Sequence, residues 1–177
     1  MRSKTLLAIA TCGLLVAAAS CQDTPVAVED GLDLPTSLAS VHLKGGKKAA
    51  PTYRDAGLTL VAKASLSGLG NEDILVTLDA MANVDAVCQN QGGNQAPGQN
   101  PAPISVTGTT SIPAEEIKNG NVTFTVETLA PVSPIPGAPD CPNPNWDEII
   151  VDLTFTSATI TVEQPVGTVV FTRMDYF

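Results

Sequence analysis

The sequence predicts an all-β fold of two antiparallel sheets packed face to face, and three observations predict it. Apolar and polar residues alternate with a period of two in short runs along most of the chain. Thr and Val crowd those runs, and their branched Cβ atoms suit a pleated surface better than a helix. The 14 Gly and 14 Pro among 177 residues break the runs with turns and leave no stretch for a long amphipathic helix. An apolar fraction of 44% is too high for a wholly disordered chain.

The first element, residues 1–20, reads as an export signal. Arg2 and Lys4 precede an uncharged run over 6–19, which is shorter than the roughly 20 residues a membrane-spanning helix needs. A charged start, a short apolar run and small residues at its end are the three parts of a secretory signal peptide. Ala17, Ala18 and Ala19 suit cleavage at an ordinary small-residue site. Ala18-Ala19-Ser20-Cys21 resembles the lipobox of bacterial lipoproteins, with Ala18 where that family more often has Leu. The resemblance implies that Cys21 becomes the first mature residue and carries lipid such as palmitate, anchoring the protein in the cell envelope without a transmembrane helix. In two-membrane bacteria the sorting rule for lipoproteins reads Gln22 as an address for the outer membrane. The alternative is a secreted protein with an unpaired thiol at Cys21. Residues 21–39 are polar, acidic and Pro-containing, the composition of a flexible linker. Removing Arg2 and Lys4 with the signal takes the net charge from −9 to −11.

The domain is expected over 40–177. Leu58, Leu60, Ala62, Ala64 and Leu66 share one parity, and the same alternation recurs at Ile74, Val76, Leu78 and Ala80, at Val122, Phe124 and Val126, and at Ile149, Val151, Leu153 and Phe155. Weaker runs occupy 41–44, 104–112 and 167–174. After Phe155 the apolar parity moves to Ala158, Ile160 and Val162, so the chain must bulge, change sheets or turn near Ser157, which divides this stretch into two units. Residues 164–167 supply the last turn. PAEEIK at 113–118 has Pro at its start, acids in its first turn and Asn119-Gly120 as a stop, which makes about one helical turn. Seven or eight strands without a helical layer lead to an immunoglobulin-like antiparallel β-sandwich with two long Pro/Gly/Asn-rich loops, over 88–103 and 130–146. A barrel is the alternative, disfavoured by the uneven strands.

Once Cys12 leaves with the signal and Cys21 takes lipid, Cys88 and Cys141 remain, and in an exported protein such a pair is most simply a disulfide. Each opens or sits in one of the two loops, so the bond is expected to join two coils. The strings VHLKGGKKAAPT (41–52), GGNQAPGQNPAP (92–103), IKNGNVTFTV (117–126) and CPNPNW (141–146) resemble a set of uncharacterised exported bacterial proteins. That resemblance implies one exported β-rich domain and carries no catalytic residue with it.

Function is constrained mostly by exclusion. A chain with 9 basic and 18 acidic residues is a poor nucleic-acid partner. His42 is the single His and lies in an expected strand, where it faces solvent; GxSxG, HExxH, P-loop and GxGxxG motifs are absent. No catalytic residue, metal ligand set or cofactor is assigned. Glu72, Asp73, Asp140, Asp147 and Glu148 stand in loops where carboxylates can hold calcium, and Asn121-Val122-Thr123 has glycosylation spacing but reads as strand. Trp146 is expected over the disulfide or as an anchor for a partner. Lys44, Lys47 and Lys48, around Gly45-Gly46, form the one basic cluster and a possible contact for an anionic envelope polymer or a protein. The expectation is a cell-envelope lipoprotein with a non-catalytic binding or structural domain. The alternatives are an envelope hydrolase or calcium-dependent enzyme using loop carboxylates, and an adhesin or assembly subunit pairing through a strand edge.

Overall fold

Most of the alternating runs become strands whose apolar parity faces inward. In the computed structural model, which describes residues 41–97, 101–135, 141 and 143–177, nine strands appear among those residues. They are β1 (His42–Leu43), β2 (Thr52–Asp55), β3 (Leu60–Ser67), β4 (Ile74–Asn90), β5 (Gln95–Pro97), β6 (Ile104–Ile112), β7 (Asn121–Glu127), β8 (Trp146–Glu163) and β9 (Val169–Tyr176). The signal peptide at 1–20, Cys21, the linker at 21–39 and Asp140 lie outside the described residues.

All pairings between strands are antiparallel. In the first sheet β3 is central: β7 runs along one edge, from Val61 opposite Glu127 to Ser67 opposite Asn121. The other edge is shared by β1, at Leu66 and Ser67, and β2, at Leu60 to Lys63. In the second sheet β4 pairs with β8 on one edge and with β6 and then β5 on the other, and β9 lies outside β8. Lettered in chain order, with β1 and β2 as A, β5 and β6 as C′ and β7 as E, the sheets are A-B-E and C′-C-F-G, an immunoglobulin-like arrangement without a D strand. Leu66, Ile74, Leu78, Val126, Ile160 and Val162 are almost completely buried between the sheets.

The two long edges of the sandwich close in different ways. At β7 the Thr128 N–H donates to Leu60 O in the first sheet, and the next residue, Leu129, donates its N–H to Thr107 O in the second. This crossing needs Gly108, because a Cβ there would stand 1.8 Å from Glu127 O. At β9 the Tyr53 hydroxyl donates to Asp175 Oδ2 at 2.9 Å, Arg173 Nη1 donates to Ala49 O at 3.4 Å, and Tyr53 meets Phe177 edge to face with centroids 5.0 Å apart.

Several expectations change. Ile149 and Val151, expected on one parity with Leu153 and Phe155, face outward and are 37% and 56% exposed. The parity slip near Ser157 is a bulge inside one strand, not a boundary between two units. Met81 pairs with Ser157 and Ala82 with Phe155, so Thr156 is extra; a second bulge at Val151 falls between Asp85–Asp152 and Ala86–Ile150. Each inserted residue resets the inward parity while β8 continues for 18 residues. The inward parity of β4 likewise passes beyond Ala80 through Ala82, Val84, Ala86 and Cys88, all buried, so Cys88 stands in a 17-residue strand instead of opening a coil. The segment after it forms a hairpin: Asn90 Oδ1 accepts the N–H groups of Gly92 and Asn94, and β5 returns along β4. The expected helical turn is a 3₁₀ helix, Ala114–Glu116, whose Ala114 N–H donates to Asp73 Oδ1 at 2.8 Å.

A candidate functional site on the outer face of the first sheet

Opposed residues in antiparallel strands project to the same side, so the register alone sorts the exposed charges. In the first sheet Leu43, Leu60, Ala62, Ala64 and Leu66 point inward and are buried. The outer face therefore carries Thr52 opposite Lys63 opposite Thr125, Arg54 opposite Val61 opposite Glu127, and His42 opposite Ser67 opposite Asn121. His42, Arg54 and Lys63 are exposed, as expected for His42. Lys44 continues from β1, its N–H donating to Ser65 O at 2.8 Å, into the exposed turn that holds Lys47 and Lys48. The Lys-Gly-Gly-Lys-Lys turn is built on Gly45 and Gly46, both at positive φ.

The sheet thus brings Arg54 and Lys63 to the lysine cluster read in the sequence. Glu127 is the one acid on that outer face among the paired residues, and its Oε1 accepts the Thr59 hydroxyl at 2.6 Å. Lys47 also lines an open cleft of about 520 Å³ between the turn and β9, together with Val41, Leu43, Ala49, Phe171 and Arg173. Arg173 contributes little free charge there, because it makes the one ion pair among the described residues, 2.8 Å from Asp175. Hydrogen bonding to Asp175 raises the Arg173 guanidinium pKa. The same bonds from Arg173, with a smaller share from the Tyr53 hydroxyl, hold the Asp175 carboxyl below its ordinary value against the opposing effect of burial. Burial first, then the hydrogen bond and charge of Asp175, push the Tyr53 phenol upward. The cluster is a closure of the sandwich edge with its protons fixed near neutral pH.

The second sheet has the opposite character. Its outer face carries Asp79, Asp85, Asp147, Asp152 and Glu163 and no Lys or Arg, around a field of hydroxyls in which Thr109, Thr77, Thr161 and Thr172 lie side by side across β6, β4, β8 and β9. Residues 41–63 hold Lys44, Lys47, Lys48, Arg54 and Lys63 against Asp55, a balance of +4, while 64–177 hold Lys118 and Arg173 against 13 acids, a balance of −11. The domain is therefore polarised from sheet to sheet.

The remaining sequence candidates do not converge on this face. Trp146 pairs with Asn90 at the far end of β8 and lines a recess of about 380 Å³ with Cys141, Asn143 and Pro144, beside the disulfide. Cys88 and Cys141 are bonded, with Cα atoms 5.8 Å apart. The bond joins the end of β4 to the segment preceding β8, so it links a strand to a coil. Asp147 and Glu148 are neighbours on one strand and project to opposite faces; the Asp73 carboxylate is used on Ala114. Among the described residues no three His, Cys, Asp or Glu gather in a metal-ligating group. Asn121 is held inside the sheet, its Nδ2 donating to Lys118 O and Asn119 O and its Oδ1 accepting from Ser67. No helix among the described residues is long and apolar enough to cross a membrane. Sequence reasoning missed Arg54 and Lys63: Lys63 stands on the unburied parity of its strand, the one local signal present, while Arg54 belongs to a strand, β2, that was not expected. The chain matches no protein-family model and no curated protein.

Proposed function

We propose that this is an exported lipoprotein, anchored to the bacterial cell envelope through Cys21, whose sandwich is a non-catalytic binding or structural module. The observation that carries the reading is the basic face beside β1, the strand through which the chain enters the domain: cations gathered on one sheet suit an anionic partner at the surface to which Cys21 would tether the chain. The disulfide is compatible with an oxidising compartment and supports export. A flat, exposed sheet face with several cations suits an extended anionic partner better than a small molecule, which needs a concave site. Incorporation of labelled palmitate into the wild type and into Cys21→Ser tests the anchor. Label in the first and not in the second is expected; equal labelling overturns the proposal.

A further inference from the structure

We infer that the outer face of the first sheet, with the Lys44–Lys48 turn, docks on the anionic headgroups of the membrane that carries the anchor, and so fixes which way the domain faces. This inference rests on the lipoprotein reading and adds a partner and an orientation to it.

The argument is geometric and electrostatic. Between Cys21 and Val41 the chain has 19 residues, and a linker of that length and composition has a root-mean-square span of roughly 25 Å. At physiological salt the field of an anionic membrane is screened within about 8 Å. An anchored domain with no preference would spend most of its time outside that field and in any rotation. This domain has five cations, Lys44, Lys47, Lys48, Arg54 and Lys63, on or beside the sheet into which the chain enters, and five acids on the outer face of the other sheet. Approach by the first sheet is attractive, and approach by the second is repulsive. Each lysine brought against an anionic surface strengthens binding by about five-fold, so three give roughly 100-fold. The tether keeps the domain at high local concentration over the surface, so a face too weak to recruit a free protein is strong enough to orient an anchored one. The acids Asp23, Glu29, Asp30 and Asp33 in the linker are the rival occupant of the basic face, and the test must separate them from the membrane.

The test is vesicle flotation of the full chain carrying Cys21→Ser, which removes the lipid and leaves every other group in place. Vesicles of phosphatidylcholine alone are compared with vesicles containing phosphatidylglycerol. The amino-terminal segment, with Arg2 and Lys4, is common to all samples, so the change in anionic preference between the parent and its charge variants reads the charged face. Stronger binding to the anionic vesicles is expected. That preference should fall roughly 100-fold in the triple variant Lys44→Ala, Lys47→Ala, Lys48→Ala and vanish in about 0.5 M salt. Asp85→Asn with Asp152→Asn, on the far sheet, should change it by less than about three-fold, since those groups lie more than a screening length from the bound surface. Thermal melts of the exposed-turn variant should match the parent, which separates lost binding from lost fold. Equal binding to both vesicle types overturns the inference. So does binding to an anionic cell-wall polymer with no preference among vesicles, and so does a preference that emerges only when the four linker acids are changed to Asn or Gln. Absent palmitate label together with a preserved anionic preference would remove the anchor and leave this face standing; palmitate label without that preference would do the reverse.

Discussion

Removing the disulfide is the sharpest test of how the long strands are held. Cys88→Ala with Cys141→Ala opens a covalent loop of 54 residues, 88 to 141 inclusive. The chain-entropy relation gives about 4 kcal/mol for a loop of that size. The domain spans 137 residues from 41 to 177, for which an unfolding entropy of about 0.3 kcal/mol/K turns that loss into a fall in melting temperature of roughly 10–15 °C. The loss should also be local. Cys88 lies at the end of β4, where its neighbours are the three-residue β5 and the start of β8, while Leu78 and Ile160 lie deep between the sheets. Amide exchange should therefore quicken at 84–90 and 146–150 before it quickens around Leu78 and Ile160. Calorimetry of the oxidised protein, the reduced protein and the double variant, with exchange read by mass spectrometry, measures both effects. Two titratable thiols at Cys88 and Cys141 in the unreduced protein, or a melting shift below about 3 °C, would refute the reasoning.

Two further perturbations probe the two closures of the sandwich. In Gly108→Ala the new Cβ meets Glu127 O at 1.8 Å and Thr128 Cα at 2.7 Å, both backbone atoms that cannot swing aside, so a cost of about 3 kcal/mol is expected in urea unfolding; a change under about 0.5 kcal/mol would mean that the β6–β7 corner opens freely. Asp175→Asn removes the acceptor shared by Arg173 and Tyr53. Because the folded-state pKa of Asp175 is depressed, its contribution is fully present above the ordinary carboxylate value near 4 and is lost as pH falls through the lower folded value. The stability gap between wild type and Asp175→Asn should thus be open at pH 7 and shrink steadily below about pH 4. A gap of equal size at pH 7 and pH 2 would count against the ion pair as its source.

How much of this was legible in the sequence depended on whether the controlling signal was local. The inward parity of β3 and β7 was legible because Leu60 to Leu66 and Val122 to Val126 alternate without interruption. The break at Ser157 was legible as a loss of parity, but a bulge and a strand boundary write the same pattern, and only the partner strand decides between them. The length of β4 was hidden because its inward positions beyond Leu78 are mostly Ala, with Asn83 and Asp85 between them, a weak contrast on any hydropathy pattern. Lys44, Lys47 and Lys48 stand together in the sequence and were found there. Arg54 and Lys63 join them only through the pairing of β2 with β3, a contact that no spacing along the chain reveals. Gly108 was equally silent, since its role comes from Glu127 and Thr128 on another element.

The polarity of the domain follows from its connectivity more than from its net charge. Strands β1, β2 and β3 are consecutive in the chain and lie in the same sheet, so cations gathered within 41–63 are delivered to one outer face and its flanking turn. The crossing from β3 to β4 then carries the following residues into the second sheet, and Asp79, Asp85, Asp147, Asp152 and Glu163 accumulate on its outer side because β4 and β8 are neighbours there. Only β7 returns to the first sheet, and it brings a single outward-facing acid, Glu127, already engaged by Thr59. A protein with the same composition and net charge but with Lys63 and Thr161 exchanged would keep four of the five cations on the first sheet and its turn. It would carry the fifth on the acidic face, so its polarity would be weaker. A surface that reads this molecule electrostatically meets a sheet, not a total, and the sheet it meets is set by where the chain enters the fold.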